Sequence, residues 1–230
     1  MSILLQENYQ LFQKVNSYAG HWPWLDLIMV FCANTLIFFW PVILLLLWGR
    51  PLSWRKRLLR PGEEAIAQVC RAVVLWVPLA CVLAYLLNLS VEQFIFEPRP
   101  FVSHQVHLLT THLADDSFPS DHTAWSFAVL GMMLFSLPSL LLSAWSQRIN
   151  EKRAGNTTAL LFPLLLMGMA LVMAGSIGLA RVFVGVHYPG DILGGASSGL
   201  IAASIMTLLR HRMRQLTQGI MHRMQRIHLA

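Results

Sequence analysis

Five stretches of this chain stay apolar for roughly twenty residues at a time, and polar residues collect in the connections between them. They cover 25–48, 66–88, 123–145, 159–179 and 192–209. Runs of that length predict membrane-crossing helices, because about twenty helical residues match the hydrocarbon thickness of a bilayer. The predicted fold is all-α, a polytopic membrane helical bundle of about five spans. Residues 1–20 are too polar for a further span. Leu4, Leu5, Phe12, Val15 and Tyr18 share one face there, which predicts an interfacial N-terminal helix. Glu7 and Gln13 interrupt any apolar core, so no cleavable signal peptide is expected. The chain thus divides into an interfacial segment 1–20, a membrane domain 21–209 and a basic tail 210–230. Along the tail, Met213, Leu216, Ile220, Met224 and Ile227 recur at near-helical intervals.

The few polar or small residues inside the spans predict contacts. Asn34 and Thr35 should face the bundle, since lipid offers them no partner. Pro41 should kink the first span. Gly195 and Gly199, with Gly175 and Gly178, predict close helix approach. Cys32, Cys70 and Cys81 all fall inside spans and read as packing residues.

Composition agrees with a membrane protein: 56% of the 230 residues are hydrophobic and 12% charged. A soluble domain carries about twice that charged fraction. The net charge of +6 does not point to nucleic acid, because its distribution is topological. Thirteen of the 17 basic residues lie in the connection after the first span, the connection after the third, and the tail. Arg71, just inside the second span, can snorkel to the same side. The positive-inside rule places that side in the cytoplasm of a plasma membrane and the other connections outside.

The outer connections hold the candidate chemistry. Arg99 and His122 flank the one between spans two and three; Arg181, His187 and Asp191 flank the one between spans four and five. Two crossings separate these connections, so they share one face. Ser117 is a candidate helix cap with Pro119 in the first turn, leaving Ser120, Asp121 and His122 at the start of the third span. Free N–H groups and the helix dipole favour phosphate there. Pro189 should open the fifth span, and Asp191, four residues after His187, can reach back to the imidazole. His104, His107 and His112, near Asp115 and Asp116, have no zinc spacing and read as solvated loop residues. Glu92 reads as an interfacial helix-end residue. Glu97 is a candidate accessory group that orients Arg99 or binds water or a cation, and Asp121 a structural partner of the helix start.

These residues resemble the signature of the type 2 phosphatidic acid phosphatase superfamily, which includes the vanadium haloperoxidases. Arg181, His187 and Asp191 match its third motif, Arg-x5-His-x3-Asp. Pro119, Ser120 and His122 match its second, Pro-Ser-Gly-His, with Asp121 replacing glycine. Arg99 and Pro100 match its first, Lys-x6-Arg-Pro, but Glu92 stands in the lysine position. The strings from Phe96 to Val102, Asp116 to Thr123 and Val184 to Pro189 are similar to the bacitracin-resistance-type undecaprenyl pyrophosphate phosphatases. The apolar composition separates the chain from the soluble haloperoxidases.

The resemblance implies a phosphatase in which His187 is the nucleophile, Asp191 orients it, and His122 is the general acid and then base. It implies that Arg99, Arg181 and Ser120 bind phosphate. Neutral imidazole is a good nucleophile at phosphorus, and guanidinium forks match phosphate geometry. With two such cations, neither metal nor cofactor is expected. The implied partners are a polyprenyl pyrophosphate substrate and membrane lipids. The alternatives are a phosphatase or phosphotransferase for another lipid, such as phosphatidylglycerophosphate, phosphatidate or lipid A, and a non-catalytic lipid-binding or transport protein.

Overall fold

The structure, a computed structural model, describes residues 3–49, 61–150 and 158–226. The basic connections 50–60 and 151–157 and the last four residues lie outside the described residues, as do the side chains of Arg148 and Arg226. Among the described residues ten α-helices follow one another: α1 (Ile3–Asn16), α2 (Pro23–Asn34), α3 (Trp40–Gly49), α4 (Pro61–Glu92), α5 (Pro100–Ser103), α6 (Asp121–Leu134), α7 (Leu137–Asn150), α8 (Thr158–Phe183), α9 (Pro189–Arg212) and α10 (Arg214–Arg226). Four stretches are long and apolar enough to cross a membrane, and the α2–α3 pair makes five when taken as one bent span. The all-helical membrane bundle is therefore as expected.

Two spans are less regular than the sequence suggests. The first breaks at a 3-10 turn, Leu36–Phe39, and its halves bend by 57°. The break precedes Pro41. Asn34 at the end of α2 donates to Thr110 Oγ1 in the connection between α5 and α6 at 2.9 Å, while Thr35 is exposed and does not face the bundle. The third span is α6 followed by α7, interrupted at Phe135 and Ser136.

The α6–α9 pair is the most intimate contact in the bundle, and α4 packs against both. Glycine explains the closeness. A Cβ on Gly195 would lie 2.3 Å from the Ser120 carbonyl oxygen, and one on Gly199 2.3 Å from that of Ala124. Gly178 likewise lies against Ile192, whereas Gly175 faces open space and packs nothing. Around this seam the core includes Ala80, Ala84, Leu130, Met132, Ile177 and Ala203. Trp40 Nε1 donates to Ser126 Oγ at 3.1 Å and ties α3 to α6. Large apolar residues also face outward, among them Leu45, Leu165, Val172, Leu193 and Leu208, which suits a hydrocarbon solvent. Arg71 is 5% exposed, so it is enclosed by protein instead of snorkelling to water.

At the site end, α1 lies across the bundle. Phe12 is buried, but Leu5 and Tyr18 of the predicted apolar face are exposed. Polar pins hold the helix. Asn16 Nδ2 donates to the carbonyls of His107 and Phe183, each at 2.8 Å, and Asn8 Oδ1 accepts Gly190 N–H at 2.8 Å. At the far end, α10 turns back onto α4, where Trp76 Nε1 donates to Thr217 Oγ1 at 3.1 Å. Thr217 and Met221 are its buried side; Met213, Leu216 and Ile220 point away.

Replacing Gly199 by alanine should force α6 and α9 apart and destabilise the protein by about 1–3 kcal/mol. Gly168→Ala, where nothing lies within 4 Å, should be neutral or slightly stabilising. Thermal unfolding of both variants in detergent checks the contrast.

Candidate active site

The third motif is a helix end joined to a helix start. Arg181 lies in the last turn of α8. The chain then leaves through a Schellman turn: Gly185 N–H bonds the Val182 carbonyl at 3.1 Å and Val186 N–H the Arg181 carbonyl at 3.2 Å. Gly185 has φ of +90°, which a side chain would strain. Four residues after Gly185, Pro189 opens α9 as expected. Asp191 Oδ2 accepts the Tyr188 N–H at 2.7 Å, so the carboxylate caps the helix while facing His187. The six residues from Arg181 to His187 thus place a guanidinium and an imidazole side by side.

His187 is 3% exposed and each ring nitrogen has a separate set of partners. Nδ1 lies 2.9 Å from the Ser117 carbonyl oxygen and 3.2 Å from Asp191 Oδ2, so it carries the proton and donates it. Nε2 lies 3.1 Å from Arg99 Nη1 and 3.5 Å from Arg181 Nη2. Both neighbours are obligate donors, so Nε2 presents its lone pair to them. Burial, then the Arg181 and Arg99 charges, hold this imidazole well below the ordinary histidine range. It is neutral, with Nε2 set between two guanidinium groups.

Both arginines are buried, at 5% for Arg99 and 2% for Arg181. Arg99 precedes the short α5, and its Nη1 also donates to the Val186 carbonyl at 3.0 Å. Its Nε donates to Asp115 Oδ1 at 2.7 Å. Partial burial disfavours the Asp115 carboxylate, but the Arg99 bond outweighs that and holds its pKa below the usual value. Arg181 Nη1 reaches the Ala33 carbonyl at 3.5 Å, bringing the end of α2 against the site.

The expected residues are placed unequally. Arg99, Arg181, His187 and Asp191 converge. His122, in the first turn of α6, lies within electrostatic reach of Arg181, His187 and Arg99, and its carbonyl accepts Ser126 Oγ. Ser120, not Ser117, is the N-cap of α6; Pro119 precedes the helix after a cis peptide bond. The Ser120 hydroxyl is fully buried and accepts from Thr123 Oγ1, while its N–H donates to the Asp191 carbonyl at 3.1 Å. Asp121 accepts from Asn88 Nδ2 at 2.8 Å, a tie to α4 in place of the expected backbone N–H. Glu97 does not hold Arg99. Its carbonyl pairs with Ser117 N–H beside a bridge between Pro98 and Asp116. Burial, helped by the Asp191 charge, pushes its carboxyl up to about 7.

Three participants escaped the sequence reading. Ser117 donates its hydroxyl to Asp191 Oδ2, and its carbonyl accepts the His187 Nδ1 proton, so it clamps imidazole to carboxylate. Asp115 is the partner of Arg99. His112 stands with its ring centroid 6.4 Å from that of His187, and burial followed by the two arginines lowers its pKa. All three lie on a connection whose path over the site no periodicity reveals. Asp115 and His112 are therefore not merely solvated loop residues.

Residues 73–215 match the family model of the PAP2 superfamily. The chain belongs to the PAP2 superfamily. It is 33% identical over 97% of its length to the undecaprenyl-diphosphatase BcrC of Bacillus subtilis, covering 92% of that protein. It is 29% identical to the putative undecaprenyl-diphosphatase YbjG of Escherichia coli, over 92% of this chain and 89% of that one. The crystal structure of a PAP2-type phosphatidylglycerolphosphate phosphatase from Bacillus subtilis shares its fold, with TM-score 0.60, 19% identity and 92% and 88% coverage. This PAP2 protein is a membrane phosphatase by family.

Asp115→Asn should weaken the hold on Arg99 and lower kcat/KM for a lipid phosphate about ten- to a hundredfold, read as phosphate release. Glu97 supplies a pH test. Its carboxyl titrates higher folded than unfolded, so stability is fully present below an ordinary glutamate's 4.5 and falls as pH rises through about 7. The half-buried position keeps the effect small, and Glu97→Gln should flatten the slope in thermal unfolding.

Proposed function

We propose that this protein hydrolyses undecaprenyl pyrophosphate to undecaprenyl phosphate and inorganic phosphate through a phosphohistidine at His187. The carrying observation is the neutral imidazole whose Nε2 lone pair lies between two guanidinium groups. The relatives named as undecaprenyl-diphosphatases, aligned over nearly the whole chain, support the choice of lipid. Concentration of basic residues at the opposite end of the bundle supports an active site on the outer face of a bacterial plasma membrane, with the tail cytoplasmic. There the reaction recycles the cell-wall lipid carrier. It also removes the diphosphate that bacitracin binds, so expression should confer resistance.

Arg99 and Arg181 bind the terminal phosphate oxygens and neutralise charge that builds on them. His187 Nε2 attacks that phosphorus, and the bond from phosphorus to the bridging oxygen breaks. The electron pair leaves with undecaprenyl phosphate. Imidazole becomes a phosphorylated cation, stabilised by Asp191 and Ser117 at Nδ1. His122 protonates the leaving oxygen where a proton is needed, then takes one from the water that attacks phosphohistidine. Inorganic phosphate departs and His187 is restored.

The leaving group of a diphosphate is already a stable anion, whereas a phosphomonoester must expel an alkoxide. His122→Ala should therefore impair hydrolysis of undecaprenyl pyrophosphate less than that of phosphatidate. Equal losses on both would count against His122 as the acid. His187→Ala should abolish turnover on every lipid and on phosphatidylglycerophosphate in a parallel assay with chelator present. Acid-labile radiolabel retained on wild-type protein, and absent from this variant, would identify the intermediate. Turnover surviving in His187→Ala would overturn the assignment.

A further inference from the structure

A second cationic pocket lies at the other end of the bundle. It has a volume of about 350 Å³ and is walled by α4, α7, α9 and α10. Arg210, His211 and Arg214 line it together with Val69, Ala72 and Leu142. Arg210 is 6% exposed. Its hydrogen bond there is from Nη1 to the neutral Ser136 hydroxyl at 2.9 Å. Among the described side chains, which do not include those of Glu63 and Glu64, no carboxylate pairs with Arg210 or Arg214. The α10 turn that closes the pocket is fastened to α4 through Thr217 and Trp76.

A guanidinium buried among apolar spans without a counter-ion is costly, and such residues mark a ligand or a path. Here the charge borders a cavity of headgroup size whose lining also includes an apolar wall of α4 and α7 residues. We propose that this pocket binds the phosphodiester headgroup of an anionic membrane lipid from the leaflet opposite the catalytic site. Arg210 and Arg214 hold the phosphate, and the acyl chains lie along Val69, Ala72 and Leu142. Free phosphate offers the same anion but leaves that apolar wall uncovered, which favours the lipid. The bound lipid would clamp α10 against α4 and α9. This site shares no residue with the catalytic one and does not depend on which lipid phosphate is hydrolysed.

The test uses the full chain purified in neutral detergent. Thermal unfolding is followed while phosphatidylglycerol, phosphatidylcholine or inorganic phosphate is added, for wild type, Arg210→Gln and Arg214→Gln. Glutamine at 210 keeps a donor for Ser136; Arg214 is exposed, so its variant folds even if the other does not. Phosphatidylglycerol should raise the midpoint saturably, and loss of Arg214 should raise the half-saturating concentration about fivefold. Phosphatidylcholine should give no such shift. Any shift from inorganic phosphate should persist in both variants, because it arises at Arg99 and Arg181. Hydrolysis should be unchanged in Arg214→Gln. Equal stabilisation by phosphatidylcholine, or an unaltered phosphatidylglycerol titration in Arg214→Gln, would overturn the proposal. A phosphate shift abolished by that substitution would do so too, by assigning the pocket to the free anion.

Discussion

Two buried guanidinium groups aimed at one imidazole nitrogen are the constraint around which this molecule is arranged. Like charges at that separation repel, and the protein around them gives little solvent screening. Asp115 offsets part of the repulsion at Arg99, and the carbonyls of Val186 and Ala33 accept further donors. Burial, reinforced by the same field, keeps His187 neutral. The excess of positive charge and the unprotonated Nε2 thus have one origin in the placement of the two guanidinium groups.

The helix seam serves that arrangement. Glycine lets α9 approach α6 until backbone meets backbone, which sets Asp191 beside the segment 117–120. Ser117 can then join carboxylate and imidazole in a single cluster. A side chain at Gly195 or Gly199 would enter the space on which this cluster depends. Packing in the bundle core and chemistry at its rim are therefore coupled through a few ångströms of helix separation. The α1 helix adds an outer layer, with Asn8 and Asn16 bonded to backbone groups close to the third motif.

The two ends of the bundle manage polar groups differently. At the end that holds Arg99 and Arg181, charges are enclosed by loops and helix termini and bonded to Asp115, His187 and backbone carbonyls. At the other end, Arg210 and Arg214 border an open cavity beside apolar walls. Between these ends the outward surface is hydrocarbon-like, with exposed leucine and valine where a soluble protein would carry charge.

Much of this was legible along the chain, for identifiable reasons. Long apolar runs have one low-energy form in lipid, so the helices and their order follow from local composition. Counting crossings put both motif connections at one end, and i, i+4 spacing brought Asp191 to His187. Other features depend on residues far apart in sequence. The bend at Leu36–Phe39 is where the first span leaves the bundle axis, and Thr110, which pairs with Asn34, is distant in the chain. Asp115 and Ser117 are ordinary loop residues until the chain folds over Arg99 and His187. What the sequence determined by itself was the membrane bundle, the common end and the motif residues, because those follow from local hydropathy and short spacing. Only the tertiary structure decided the tautomer of His187, the partner of Arg99 and the cavity at Arg210, because each is a contact between segments whose separation no local pattern encodes.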